Sequence, residues 1–519
     1  MKARKSAVIL SVILALLITT VAGAQITYEK ATITSYQVVN LGANPSTITA
    51  DYYKSDGTKA FSNTFANVPA KGVVTVQQAL ESGLPSGQFS AVLSASEPLA
   101  AIVNQQLGDA GSGVSTAPFS SYGAISGGSN EVTIPVIMHN WFGYHTELFI
   151  QNVSGTPATV TIDYKPTSSG ACASAGTASS GNAVGTLPAS TAKSVSQRDL
   201  TALGAPASPC GAAFQGRFLG AATVKSTGGA IAVVVNEYVN GKLFTFNGFS
   251  NTGGTTVIFP AYLRNWYNYY ASLTIANPGA TDATVKLTYT PAAGSNPTAA
   301  ITANRTVPAG KSITVYDGNS GTSDLSSAYP YNTALPVTHP DQKRFFGSVK
   351  IESTNSVPVV AVVNQEATAA AGNQAGAYNG AASTEGTKKI SVPLIQSDFY
   401  GYYTSLTIAT VDGTDASLKI TYTSDGTYSA VKNTSKEYTI STTNGVLNRY
   451  EGASASAAQS DIRDDAAWKS GGTGRFIGSA LIEVISGSNI VAFVNSESTS
   501  APQASTRDSL YSFNAFNVQ

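Results

Sequence analysis

Residues 257–280, VIFPAYLRNWYNYYASLTIANPGA, decide the fold, because the same stretch is written twice more in the chain. It returns as VTIPVIMHNWFGYHTELFIQNVSG at 132–155 and as ISVPLIQSDFYGYYTSLTIATVDG at 390–413, with Pro135, Pro260 and Pro393 spaced 125 and 133 residues apart. Self-similarity of this kind fixes architecture before any local reading. Each copy runs into an alternating segment that ends on a tyrosine: ATVTIDY at Tyr164, ATVKLTY at Tyr289 and ASLKITY at Tyr422, with STITADY at Tyr52 as an earlier instance. Alternation of apolar and polar residues over this length marks a strand with one buried face. Asp56-Gly57 and Asp425-Gly426 then supply hairpin turns.

Working outward, a third block recurs as VPAKGVVTV (68–76), LPASTAKSV (187–195) and VPAGKSITV (307–315), with a diverged version near 441–450. The fourth block is the most apolar: FSAVLSASEPLAAIVNQ, FLGAATVKSTGGAIAVVVNEY, FFGSVKIESTNSVPVVAVVNQE and FIGSALIEVISGSNIVAFVNSE. Its second half is a continuous run, the pattern of a strand buried on both faces. A strand with Phe or Tyr closes each copy: SSYGAIS, FTFNGFS, GAYNGAA and YSFNAFN. About seven strands in roughly 105–135 residues describe a two-sheet antiparallel sandwich. The expected fold is therefore all-β, four tandem immunoglobulin-like sandwich modules after a signal peptide: 1–24 signal peptide, then modules at 25–130, 131–254, 255–387 and 388–519, with separate small cores in a row. At this level the chain resembles bacterial secreted surface proteins with tandem immunoglobulin-like or fibronectin-like β-sandwich repeats, adhesins among them. The resemblance implies a structural or adhesive surface protein; the Cys and Trp pattern of antibody domains is absent. An outer-membrane barrel fails, because AIAVVVNEY and VVAVVNQE do not alternate as barrel strands do.

Lys2, Arg4 and Lys5, the apolar run Ala7 to Leu17 and the small residues Ala22-Gly23-Ala24 read as a secretory signal, giving a mature chain from Gln25 with no further span. Thirty basic and thirty acidic residues cancel, and only 12% of the chain is charged, about half the usual share. Nucleic acid and anionic membranes need clustered Lys and Arg, so both are poor partners. Zero net charge removes the repulsion that keeps copies apart, which eases self-association. Cys172 and Cys210 are expected to form one disulfide in an oxidising compartment, closing a 38-residue loop worth roughly 4 kcal/mol on the chain-entropy model. A metal site would need more ligands than the neighbourhood offers.

Aligning Asn40 with Asn152 gives an offset of 112, which puts Gln25 at position 137 and leaves the first module without a counterpart of EVTIPVI. The proline in that strand places it at a sheet edge. The first module should thus show an open edge that a neighbouring molecule fills by strand donation, and such head-to-tail pairing builds a filament unless it closes. Alternatively, residues 25–31 cap the edge, or each proline strand pairs with the preceding module and the last module stays open.

Three aromatic clusters recur: Trp141, Phe142 and Tyr144; Trp266, Tyr267, Tyr269 and Tyr270; Phe399, Tyr400, Tyr402 and Tyr403. They suit packing at the three module junctions first and stacking on sugar rings second. Asn104, Asn236, Asn364 and Asn495 recur at the end of the buried run and are expected to satisfy backbone groups at a turn. His139, His145 and His339 do not recur, and neither GxSxG nor HExxH is present, so no catalytic residue is assigned and an enzyme is not expected. No cofactor is expected apart from calcium, for which the Asp317–Asp324 loop and the group Asp461, Asp464 and Asp465 are the candidates, each without the full ligand spacing. Asn152, Asn304 and Asn433 open N-x-S/T triplets. The segments 197–216, 317–343 and 451–474 vary between copies and are the natural place for partner recognition, with a short helix within 453–470. The expected function is a secreted, extracellular or cell-surface structural subunit that assembles with itself into a layer, sheath or fibre. A glycan-binding adhesin taking cell-envelope polysaccharide is the alternative, and an accessory module of a secreted hydrolase the weaker one.

Overall fold

The computed structural model describes residues 12–16, 32–107, 118–167, 178–197, 217–239, 241–250, 253–292, 295, 298–317, 324–325, 344–367, 374–452, 460–498 and 510–518. Nearly all regular structure is antiparallel strand, arranged as sheets that come in facing pairs. In the first repeat one sheet runs in the order Lys59–Val68, Ser46–Tyr53, Phe89–Ala95, Val12–Leu16, Ile125–Ser126, and its partner in the order Val73–Gln77, Thr32–Asn40, Leu99–Leu107, Phe119–Gly123. The order returns as Ser179–Leu187, Ala158–Pro166, Phe218–Thr227, Glu131–His139 facing Ala192–Ser196, His145–Asn152, Ile231–Val239, Lys242–Asn247. It returns again in the last repeat, where Lys389–Ser397 takes the place of Glu131–His139. In the third repeat the two sheets join into one of nine strands, because Arg264 pairs with Tyr270 and Trp266 with Tyr269.

The alternating segments behave as their period requires: along Ala283–Pro291 every second residue is buried, and Val285, Leu287 and Tyr289 enter the core. The proline strands carry a register shift, between Ile134 and Ile137, Phe259 and Tyr262, and Val392 and Ile395. A bulge is how a sheet accommodates the missing amide of Pro135, Pro260 or Pro393. Opposite each bulge stands Gly220, Gly347 or Gly478, where an added Cβ would come within 2.2, 2.1 and 2.1 Å of the carbonyl oxygens of Lys165, Thr290 and Thr423.

The continuous apolar runs explain how the repeats meet. In Ile231–Val239, Val233 and Val235 join the core of their own repeat, while Val234 between them packs into the core of the first repeat. Val362 likewise enters the second repeat's core, Phe493 the third's, and Ile102 of the first repeat enters the core of the last. Each of these residues contributes roughly 1.5–3 kcal/mol by leaving water. The expectation of cores strung in a row is thereby corrected: the fourth contact closes a ring. A strand buried on both faces needs two neighbours, and the second neighbour is the preceding repeat.

The last strands of the repeats, Phe119–Gly123, Lys242–Asn247, Ala375–Asn379 and Tyr511–Asn514, pack against one another in sequence around this ring, and the fourth returns to the first. Asparagine side chains tie them: Nδ2 of Asn247 donates to the Gly123 carbonyl (2.8 Å), that of Asn379 to Asn247 (2.7 Å) and that of Asn514 to Asn379 (2.7 Å). The main-chain amides of Asn247 and Asn379 donate back, to Oδ1 of Asn379 and of Asn514. The first repeat has Gly123 at this position, and Phe516 lies against it, 2.9 Å from where a Cβ would stand. Where the four strands meet they leave a cavity of about 300 Å³.

The open edge expected in the first repeat is covered from within the same chain. Val12–Leu16 pairs antiparallel with Phe89–Ala95, Val12 opposite Leu93 and Leu16 opposite Phe89, and on its other side with Ile125–Ser126. That segment belongs to the apolar stretch the sequence marks as a leader.

Candidate functional site

The aromatic clusters sit on the turn that follows each proline strand, and their members divide into separate tasks. Trp141, Trp266 and Phe399 pack against the core of their own repeat. Phe142, Tyr267 and Tyr400 stand in solvent, 60%, 53% and 64% exposed. Tyr144 and Tyr269 reach the next repeat, their hydroxyls donating to Glu366 (3.4 Å) and Glu497 (3.1 Å), and Tyr402 lies edge-on to Phe119 of the first repeat with ring centres 6.3 Å apart. Tyr270 and Tyr403 brace the turn itself through Asn265 and Asp398, both at 3.1 Å.

The exposed rings are held there at a cost. Phe142, Tyr267 and Tyr400 have φ of 50°, 50° and 51°, a left-handed conformation that bulky residues avoid, and Asn140, Asn265 and Asp398 before them are left-handed too. Each such residue stores roughly 1–3 kcal/mol. A guanidinium covers each ring: Arg217 is 4.9 Å from the centre of Phe142, Arg344 is 5.4 Å from Tyr267 and 4.5 Å from Trp266, and Arg475 is 4.4 Å from Tyr400. The arginines were missed in the sequence although the signal was present. They open RFLG, RFFG and RFIG in the three copies that carry an aromatic turn, whereas the first copy has Gln88 before Phe89.

In the last repeat this turn borders a cleft of about 230 Å³ lined by Ser397, Asp398 and Tyr403, by residues between Ile462 and Gly474 of the variable segment 451–474, Trp468 and Lys469 among them, and by Phe476 of the strand that follows. The helix Asp461–Asp464 in that segment starts at Ser460, whose hydroxyl accepts from the Arg463 amide. Trp468, 1% exposed, donates from Nε1 to the Tyr438 hydroxyl at 2.8 Å and forms a fixed floor. The acidic residues considered for calcium are committed elsewhere: Asp461 pairs with Arg449, Asp464 with Arg463, and Asp465 with Lys436. Arg463 holds the Asp464 carboxyl down to about 2. Asp317 accepts from Tyr262 (2.6 Å), and Asp324 from Tyr289 (3.0 Å) and Arg305. Among the described residues no three acidic, His or Cys side chains gather as a metal site. His139 meets the Gln197 carbonyl at 2.6 Å and His145 lies beside it, ring centres 6.0 Å apart. Cys172 and Cys210, His339, and most of the variable segments at 197–216 and 317–343 lie outside the described residues.

The recurring Asn104, Asn236, Asn364 and Asn495 are not at turns. They lie inside strands and face the preceding repeat: Asn236 Oδ1 accepts from Gln105 Nε2 (2.8 Å), Asn364 Nδ2 donates to Glu237 (2.5 Å), and Asn495 Oδ1 accepts from Gln365 Nε2 (2.6 Å). The residue that would face Asn104 is Ser496, and the buried Oδ1 of Asn104 finds no partner. The backbone-satisfying role belongs to another recurring asparagine. Asn40 donates to the carbonyls of Asn44, Val68 and Pro69, Asn152 to those of Thr156, Leu187 and Pro188, and Asn277 to those of Thr281 and Val307. Asn152 is fully buried in this task, which removes it as a glycan acceptor. Glu237, also fully buried, has its carboxyl pushed up to about 8 by desolvation, against which the bond from Asn364 pulls only in part. Among the described residues no helix is long and apolar enough to cross a membrane.

No protein-family model and no curated protein matches the chain. Among solved structures, Escherichia coli alpha-2-macroglobulin activated by porcine elastase aligns over 98% of this chain and 44% of its own length, at 10% identity and a TM-score of 0.10, a likeness that carries no argument.

Proposed function

We propose that this protein is an exported structural subunit that assembles through the edge of its first repeat. The observation that carries the reading is the source of the strand beside Phe89–Ala95. In the later repeats that strand is an integral part of the repeat, whereas in the first it is Val12–Leu16, drawn from a segment with the charge, length and small-residue end of a removable signal. Cleavage after Ala24 would leave the outward amides and carbonyls of Phe89–Ala95 and Ile125–Ser126 to a strand from another copy. Ring closure narrows the assembly route, since the last repeat already occupies the first and no end-to-end junction is left between them. The test is sedimentation and electron microscopy of the chain beginning at Gln25, with and without a synthetic peptide of residues 7–17. Polymers that the peptide dissolves are expected; a monomer at every concentration without the peptide would overturn the reading. The Cys172–Cys210 disulfide belongs to the same proposal of an extracellular location, and free thiols in the exported, denatured chain would remove it.

A second reading, a glycan-binding adhesin, is favoured by one observation: three aromatic rings are kept in solvent on strained backbone, each under an arginine. Core packing gives no reason for that expense.

A further inference from the structure

We infer that the cleft in the last repeat, between the turn 398–402 and the segment 461–476, holds one ring of an uncharged saccharide. The inference rests on the adhesin reading and gives it a site. Two features that the sequence marks separately, the aromatic turn and the variable segment, converge there. Asp398 and Tyr403 line the cleft from the turn and Trp468, Lys469 and Gly474 from the segment, and the exposed Tyr400, with Arg475 stacked on it, stands on the same turn two residues after Asp398.

The chemistry selects the ligand class. The volume, about 230 Å³, falls below the ~300–1,000 Å³ of pockets that bury drug-sized molecules, so it suits a single ring. Trp468 and Phe476, edge-to-face with centres 5.0 Å apart and 1% and 2% exposed, back the cleft from the core, and the accessible ring on this turn is that of Tyr400. Asp398, Lys469, Ser397 and Tyr403 line the cleft, together with Arg463, whose guanidinium is already held by Asp464 and the Gly452 carbonyl. An anion would meet Asp398, and a cation would meet Lys469. A neutral polyol with apolar ring faces and hydroxyl edges uses both signs of charge and the exposed Tyr400 ring together.

The test uses the whole chain. Saturation-transfer NMR and titration with neutral oligosaccharides of glucose, galactose, mannose and N-acetylglucosamine are run on the wild type and on Tyr400→Ala, Asp398→Asn and Tyr267→Ala. Binding of at least one of these sugars, little changed by 0.5 M salt, is expected. Affinity should fall tenfold or more in Tyr400→Ala and Asp398→Asn and hold in Tyr267→Ala, with thermal midpoints unchanged because Asp398 and Tyr400 are both exposed. Sugar binding that survives both cleft variants overturns this inference and leaves the adhesin reading standing. An oligogalacturonate run alongside is the acidic control: its retention alone, lost in salt, overturns the neutral class, and no sugar bound by any form overturns both readings.

Discussion

The first repeat and the three after it share a strand order but solve the same edge differently. In the later repeats a proline strand, bulged at its proline, lies beside the strand that starts at Phe218, Phe345 or Phe476, and a glycine opposite the bulge lets the neighbouring carbonyl approach. In the first repeat the proline is gone, Ala91 replaces that glycine, and Val12–Leu16 pairs without a register shift. A position that admits a Cβ in one repeat and forbids it in the others reports on the strand beside it. The same contrast runs around the ring: Gly123 stands where the others place an asparagine, and no arginine precedes Phe89. The first repeat has lost the bulge, the aromatic turn and the axial carboxamide together, as expected if its edge is held under different rules.

The sharpest way to break the comparison is Gly347→Ala. A Cβ 2.1 Å from the Thr290 carbonyl meets backbone, which cannot swing away, so the loss should be about 3 kcal/mol, at the upper end of overpacking costs. The reciprocal change, Ala91→Gly, should cost only about 0.5–1 kcal/mol, the ordinary cost of glycine within a strand. Denaturant midpoints at constant m value separate the two; equal losses would mean that the first edge is built like the rest.

Next in size is the junction at Glu237, which occupies the strand position of Gln105 and Gln365. Its carboxyl rises from an ordinary 4.5 to about 8 on folding, because burial penalises the charge. For a group whose folded value is raised, the stability is fully present below the unfolded value and is lost as pH climbs through the folded one. Wild-type stability should therefore fall between about pH 4.5 and pH 8. Glu237→Gln should match wild type near pH 4.5 and exceed it above pH 8 by on the order of 1–3 kcal/mol, the cost of a poorly satisfied buried group. Parallel melting curves across that range would refute it.

Much of this was legible in residues and some was not. The period-2 segments ending at Tyr52, Tyr164, Tyr289 and Tyr422 and the unbroken runs such as AIAVVVNEY gave the strands and their burial, since both patterns are local. That Val234 points into the first repeat and Ile102 into the last was hidden, because a run shows that two faces are covered and not by what. Two asparagines recur in the first three repeats, with Thr410 in place of one of them in the last, and spacing alone does not separate Asn152, at a turn, from Asn236, at a junction. The open edge is readable from an alignment offset, but its occupant is not, for a short apolar run behind basic residues has the pattern of an export signal whether or not it also pairs as a strand.

Asn379→Ala tests the axial ties. The side chain donates to the Asn247 carbonyl and accepts from its amide, so truncation should cost about 1–2 kcal/mol. Gly123→Ala, at the position where the first repeat lacks the carboxamide, meets the far end of Phe516 closely and Nδ2 of Asn247 at ordinary contact distance, 3.7 Å, and should cost less.

The smallest expected effect says most about function. Tyr267→Gly removes an exposed ring from a left-handed position that glycine adopts freely, so relief of strain offsets the lost stacking on Arg344 and the added freedom of the unfolded chain. The net change in stability should stay within about 1 kcal/mol, and the same holds for Phe142→Gly and Tyr400→Gly. A loss of several kcal/mol would show that the rings are structural after all, joined to their repeat as Trp266 is by Phe346, whose ring centre lies 5.4 Å away. If stability is indifferent to all three, their exposure on strained backbone is accounted for by what they touch outside the molecule.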